Sequence, residues 1–242
     1  MPSMTPEISE AAFDLAPAEA IGYMESKGFV ATWDWEEQLV INSAQVFTVA
    51  KAMSMDVLQD IRSEVDNAVK QGTTFKDFQK NLEPRLRAKG WWGKGVDPVS
   101  GKTVQLGSPH RLETIYQTNT QSAYQAGHWK RQEENKVNRP YLEYDAVGDA
   151  ATRPSHLELS GVVKPVDDPF WSTYYPPNGY NCRCRVISLT PEQTNKKGGV
   201  TEGDPEVDPD NGFSQNSGKT PWQPKKADYD ADIWRAGQPI TL

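Results

Sequence analysis

Residues 174–189 read Y-Y-P-P-N-G-Y-N-C-R-C-R-V-I-S-L. The first half is turn chemistry, with Pro176-Pro177 stiffening the chain ahead of Asn178-Gly179. The second half, Arg183 to Leu189, alternates with the period of a strand. P-Y-L-E-Y-D-A-V at 140–147 alternates as well and is the partner expected for it. The segment between them is irregular and marked by prolines. A small antiparallel sheet behind a loop-rich motif is the expectation.

N-terminal to this sheet, His110 to about Asn135 predicts a long helix. One side carries Leu112, Ile115, Tyr116, Ala123, Ala126 and Gly127, whose small members allow a close neighbour. Its centre is rich in Thr, Asn and Gln, which is unusual for a purely solvated face. Further upstream, Val57, Leu58, Ile61, Val65 and Val69 fall at helical spacing within 56–71, and Gly72 ends the pattern. Thr74 is placed to cap a helix carrying Phe75, Phe78 and Leu82, with Pro84 and Leu86 at a bend or continuation. Residues 17–27 read as a short helix closed by Gly28; Trp33-Asp34-Trp35 comes next, and after it a helical pattern runs to about Ala52.

These elements give an α+β protein with four regions. A helical N-terminal region covers 1–90, a Gly-rich connector 91–109, an α+β core 110–190 and an extended polar tail 191–242. In the core the long helix packs on the small sheet, and the tail is an extended C-terminal arm. G-W-W-G-K-G in the connector lacks the spacing and preceding strand of a phosphate loop. The tail is rich in Pro, Gly, Asp and Lys, too poor in aliphatics to order itself by burial. Trp222, Tyr229 and Trp234 punctuate it, so it is expected to become ordered along a partner, with Trp222 and Trp234 as anchors.

Composition narrows the function classes. The 242 residues are 36% hydrophobic, with eight Trp, nine Tyr and seven Phe, a concentration that suits cores and buried interfaces. Mean hydropathy is −0.71, the net charge is −7 and the pI is near 5.1. That charge gives no whole-molecule attraction for nucleic acid or an anionic membrane. No apolar run approaches membrane-spanning length. The polar, acidic start lacks the features of a secretion signal. Two cysteines make no disulfide framework, and the compartment reads as reducing cytoplasm.

Both cysteines, Cys182 and Cys184, lie one residue apart in the motif. With His156 they offer three metal ligands, which Asp149 or Asp168 would have to complete. A disulfide between residues two apart on a strand sits near the limit of bridgeable separation. A Cys–His nucleophile, with Arg183 and Arg185 favouring thiolate, is a third chemistry. The alternative is a brace. D-A-A-T-R-P-S-H at 149–156 and Asp167-Asp168 supply carboxylates for Arg153, Arg183 and Arg185, and an irregular loop needs side-chain partners for its backbone. An ion-paired structural cluster of Asp149, Arg153, His156, Asp168, Asn181 and Arg183 is the preferred reading.

D-A-V-x-D-x-x-T-R-P-x-H, G-V-V-x-P-x-D-D-P-F-W and Y-P-P-N-G-Y-N-C-R-C-R-V together resemble the phage Mu F-like head morphogenesis proteins, minor head proteins of tailed bacteriophages. Upstream, G-T-T-F-K-D-F, K-G-W-W-G and R-L-E-T-I-Y-Q-T-N-T-Q-S-A-Y-Q-A-G-H-W resemble the Mu-type branch. The resemblance covers roughly 17–190 and not the tail. It implies a structural component of the virion head, made in the host cytoplasm, binding portal and/or major capsid proteins and possibly itself. It implies no enzymatic activity and no cofactor. DNA contact near the packaging channel is open but not indicated by charge. Other branches carry D-x-x-T-C-x-x-C ahead of H-P-x-C-R-C, which looks like a zinc site. Here Arg153, His156 and Gly179 stand at three of those positions, leaving zinc only His156, Cys182 and Cys184. The rival is a metal-dependent or Cys–His hydrolase or nuclease using His156, Cys182 and Asp149.

Overall fold

Apolar residues at helical spacing fold the N-terminal half into helices. The computed structural model describes residues 18–29, 31, 46–52, 54–97 and 100–219. Helix α1 (Ala18–Ser26) leads into β1 (Gly28–Phe29), which pairs in parallel with β2 (Val46–Phe47). Helix α2 (Met55–Gln71) turns Val57, Leu58, Ile61, Val65 and Val69 into the core and ends at Gly72, whose φ is 65°. Helix α3 (Phe75–Ala88) starts at Thr74, whose hydroxyl accepts from Asp77 N at 3.3 Å, and it continues through Pro84. The helical pattern expected to reach Ala52 is not what residues 46–52 form. Phe47 and Val49 are both buried, and alternate residues share a face in extended chain, not in a helix. The Arg62 guanidinium lies over the rings of Phe29 and Phe47 and donates to the carbonyls of Met24 and Lys27, pinning β1 and β2 onto α2. Trp33 and Trp35 lie outside the described residues.

The Gly-rich stretch carries a hairpin of its own. Strand β3 (Lys94–Val96) pairs antiparallel with β4 (Thr103–Gln105). Trp91 donates to Lys51 O at 2.7 Å, and Arg111 lies 5.0 Å over the Trp91 ring. Helix α4 (Pro109–Glu134) follows, capped by Ser108. Beyond it come β5 (Tyr141–Asp145), α5 (Pro154–Glu158), β6 (Val163–Pro165), α6 (Phe170–Thr173), β7 (Arg185–Leu189) and α7 (Pro191–Lys196). The sheet order is β6-β5-β7, antiparallel throughout, with Tyr144 opposite Val186 and Leu142 opposite Ser188. The β5–β7 pairing matches the alternation read from sequence. Strand β6 was expected as irregular chain, because three residues ending in Pro165 carry too short an alternation to register.

Helix α4 belongs to two cores. Leu112 and Ala123 pack with α1, α2 and α3, whereas Trp129 packs with Tyr144, Trp171, Tyr175 and the sheet. Each large side chain so buried is worth about 1.5–3 kcal/mol. At Gly127, a Cβ would come within 3.2 Å of Ala20 N, so the lack of a side chain there lets α1 lie directly on α4.

The amides at the centre of α4 meet the free edge of β7. Gln121 and Gln125 each donate to Cys184 O at 3.2 Å, and Gln132 donates to Val186 O at 2.9 Å. Arg139 continues the row to Ser188 O at 2.8 Å. Gln132 also accepts from Tyr175 OH at 2.8 Å.

The chain after α7 does not wait for a partner, at least as far as Lys219. Thr201 exchanges hydrogen bonds with Val163, and Lys164 reaches Gly203 O and Asp204. Asn216 bonds Ser172 O and Trp171 O, and Gly218 packs against Trp129. This corrects the expectation that the whole tail is ordered on another protein. Buried Phe213 and Asn216 give it anchors that an aliphatic count misses.

Replacing Gln132 with Leu removes the donor to Val186 O and the acceptor of Tyr175 OH together. Urea denaturation is expected to show a loss of about 1–3 kcal/mol with an unchanged slope. A loss within error would mean that the edge is satisfied without this residue.

Candidate functional site

The motif loop folds around Asn178. This residue is fully buried, accepts from Tyr144 OH at 2.8 Å, and its carbonyl accepts from Asp210 N at 2.9 Å. Asn181 then turns the chain with a φ of 58°, a conformation that Asn tolerates better than most residues. Beyond it, side chains alternate: Cys182 and Cys184 are buried, while Arg183 and Arg185 face solvent. Proline at the first position of α5 starts the short helix that carries His156 inward, 3% exposed.

His156 Nδ1 lies 3.6 Å from Cys184 Sγ. Ligand atoms of His156, Cys182 and Cys184 all fall within 4.8 Å of one another, and His156 Nε2 is buried with no protein partner among the described residues. Cys184 is the more acidic thiol. The hydrogen bond from the Cys182 thiol favours its thiolate, against the cost of burial, with His156 contributing next. Cys182 is pushed up by that same bond and by burial. Burial, then the two neighbouring thiols, push Tyr144 up.

Outside the thiols, ion pairs close the corner. Arg183 grips Asp149 with two bonds of 2.6 and 2.7 Å, and Asp149 also accepts from Ala151 N and Thr152 Oγ1. Asp149 lies below the ordinary carboxyl range, first because of Arg183. Arg153 donates to Tyr180 O at 2.9 Å and meets Asp210 at 3.3 Å. Arg185 pairs with Asp145 at 2.6 Å.

Of the predicted cluster, Asp149, Arg153, His156, Asn181 and Arg183 come together with the two cysteines. Asp168 does not join them. Its carboxylate accepts from Phe170 N at 2.9 Å and starts α6, while Asp167 pairs with Lys136. A carboxylate two residues before a helix has a nearer use than an arginine across the fold. Sequence reading missed Tyr144, Asn178 and Asp210; the Asn-Gly pair was the only signal for any of them.

The donor set suits a soft ion in three of four positions. A cavity of about 10 Å³ adjoins it, lined by Thr152, Arg153 and Asn181 among others. That is space for roughly one water, and Arg153 places a cation at its wall. At Gly179 a Cβ would collide with the Asp210 carboxylate and come within 3.2 Å of Arg153 Nη1. The Arg153–Asp210 pair thus fills the space beside Gly179 that a side chain at that position would need. The cavity's volume is well below the roughly 300 Å³ or more of ordinary ligand pockets.

A family model described as phage Mu protein F like protein matches residues 59–187. The chain is 48% identical over 193 residues to protein F of Escherichia phage Mu, a protein named for capsid assembly; the match covers 78% of this chain and 44% of that one. It is 47% identical over 167 residues to the FluMu F protein of a Mu-like prophage of Haemophilus influenzae, covering 69% of this chain and 40% of that one. The chain therefore spans less than half the length of these curated relatives. No solved structure matches.

Two measurements bear on the corner. Because the Asp149 pKa is depressed on folding, its contribution is present above the ordinary value of 3.8 and is lost as pH falls through the lower folded value. Asp149→Asn should melt below wild type at neutral pH, with the gap closing in strong acid and shrinking in high salt. A gap independent of pH would assign the effect to something other than this pair. With only three donors beside a cation, the purified protein is expected to keep its melting temperature under a zinc chelator. A fall of several degrees, abolished in Cys182→Ser, would make the corner a metal clamp.

Proposed function

The chain belongs to the phage Mu F-like protein family, and on that premise we propose that it is a structural minor head protein that acts in head morphogenesis by binding portal and/or major capsid proteins. The observation that carries this reading is 48% identity over 193 residues to a protein named for capsid assembly. The stretch matched by the family model includes α4, most of the sheet and most of the motif corner. The reading places the protein in the virion head, and in the host cytoplasm during assembly.

In this reading the corner is a rivet and performs no turnover. Cys182, Cys184 and His156 fill the inside of the motif loop, while Asp149–Arg183 and Arg153–Asp210 hold its outside. The shaped surface then serves other head proteins. No described helix is long and apolar enough to cross a membrane. The net charge of −7 favours protein partners over DNA. Trp222 and Trp234, which lie outside the described residues, are the proposed anchors of the partner contact, with aromatic hot spots as the physical basis.

Residues 197–219 hold the body together, so a truncation that tests the anchors must begin beyond them. A chain ending at Lys219 is expected to melt like the full chain yet enter heads at reduced copy number, counted by mass spectrometry of purified particles. A chain ending at Gly199 should lose stability as well, because Lys164, Trp171 and Ser172 lose their partners. Normal copy number for the chain ending at Lys219 would remove Trp222 and Trp234 from the contact.

A further inference from the structure

Helix α4 has a second polar stripe, distinct from the one on β7. Arg111, Thr114, Thr118, Asn119 and Ser122 line one wall of a cavity of about 290 Å³. Lys27, just after α1, and Val49, just after β2, line another, and Phe213 and Ser217 of the C-terminal arm close it. It is large enough for a whole side chain, unlike the space beside the thiols.

Its charge is one-sided. Lys27 and Arg111 line it with His110, and no Asp or Glu lines it among the described residues. This is notable in a chain of net charge −7. Lys27 is 7% exposed, and its ammonium lies 4.8 Å over the Tyr23 ring. Arg111 donates to the carbonyls of Ala50, Gln105 and Leu106. Those carbonyls satisfy N–H groups without cancelling the charge, and burial pushes the Arg111 pKa down. Neither cation meets a carboxylate among the described residues. Thr118 Oγ1 is buried without a hydrogen-bond partner among them. A low-dielectric pocket with two cations and a spare hydroxyl gains most from an anion. Val49, Ile115 and Phe213 supply apolar surface beside those charges.

We propose that this cavity receives a carboxylate side chain, together with an apolar neighbour, from an extended acidic segment of a partner protein. A phosphate backbone fits less well: single-stranded nucleic acid needs an open basic groove that tracks successive phosphates, and here the charge is confined to one cavity. The proposal names a partner chemistry for the head-assembly reading and rests on that reading for the partner being a head protein. The binding itself does not depend on it.

The test is fluorescence anisotropy on the full chain with three labelled probes: a short peptide alternating tyrosine and aspartate, the same peptide with asparagine at each aspartate, and a single-stranded oligothymidine. The aspartate peptide should bind, and the asparagine peptide should bind at least about tenfold more weakly, the scale of a lost charge-assisted bond. Lys27→Met keeps the aliphatic stem and should weaken the aspartate peptide by about tenfold. Thr114→Trp fills the cavity with its charges intact and should weaken it too. Circular dichroism melts show whether each variant is folded, and the two wild-type peptide titrations need no variant. Equal binding of both peptides, or unchanged binding in both folded variants, overturns the proposal. Tighter binding of oligothymidine that Lys27→Met abolishes overturns it in favour of a phosphate site. None of these outcomes touches the head-assembly reading, which turns on incorporation into particles.

Discussion

The carbonyls of Cys184, Val186 and Ser188 run along the side of β7 that no described strand covers. Each accepts from a side chain of α4 or of the turn after it. A buried carbonyl left unmet costs about 1–3 kcal/mol, and an open edge invites pairing with another chain. Donors at 121, 125 and 132 on one helix can reach this row only at one rotation and one height of α4 against the sheet. That placement carries Trp129 into the second core and keeps Leu112 and Ala123 in the first. The edge therefore fixes how α4, the helix shared by both cores, sits on the sheet.

The thiols gain their meaning from the same strand. Cys184 accepts at its carbonyl from α4 and presents its sulfur to His156, so it is fixed from two directions. The C-R-C-R run is the period of extended chain written in two chemistries. Inward positions take small polarizable side chains that fit between Tyr144 and His156, and outward positions take guanidinium groups that meet Asp149 and Asp145. Spacing that suggests a reactive pair is thus explained by a strand entering a crowded corner. The acidic character of Cys184 follows from its neighbours there, the Cys182 thiol first and His156 after it.

How much of this was legible differs by element. Helices α2 and α3 were plain because their apolar residues repeat at helical spacing and Gly72 and Thr74 punctuate them. The polar centre of α4 stood out as anomalous, but the partner of its glutamines could not be read, because a carbonyl edge leaves no trace in side-chain pattern. Phe47 and Val49 look helical among apolar neighbours until the Arg62 guanidinium, fifteen residues away in sequence from Phe47, is seen to lie over Phe47. Strand β6 and the arm escaped for a shared reason: they are held by backbone bonds and a few long polar contacts. Asp168 was misassigned because a carboxylate can begin a short helix or pair with arginine, and local geometry won.

The arm ties the two sites on the surface to each other. Asp210 pairs with Arg153 at the corner and bonds Asn178 O through its N–H. A few residues on, Phe213 and Ser217 wall the cationic cavity. Tyr180, whose carbonyl Arg153 holds, packs edge-on against Phe213 at 4.9 Å and lines that cavity too. A chain without the arm would have neither the Arg153–Asp210 pair of the corner nor the residues that close the cavity. Any ligand that draws on Phe213 or Ser217 therefore stabilises the seated arm by mass action, and with it the Arg153–Asp210 pair. In this fold the corner and the cavity answer to one segment, so binding at one is paid into the rigidity of the other.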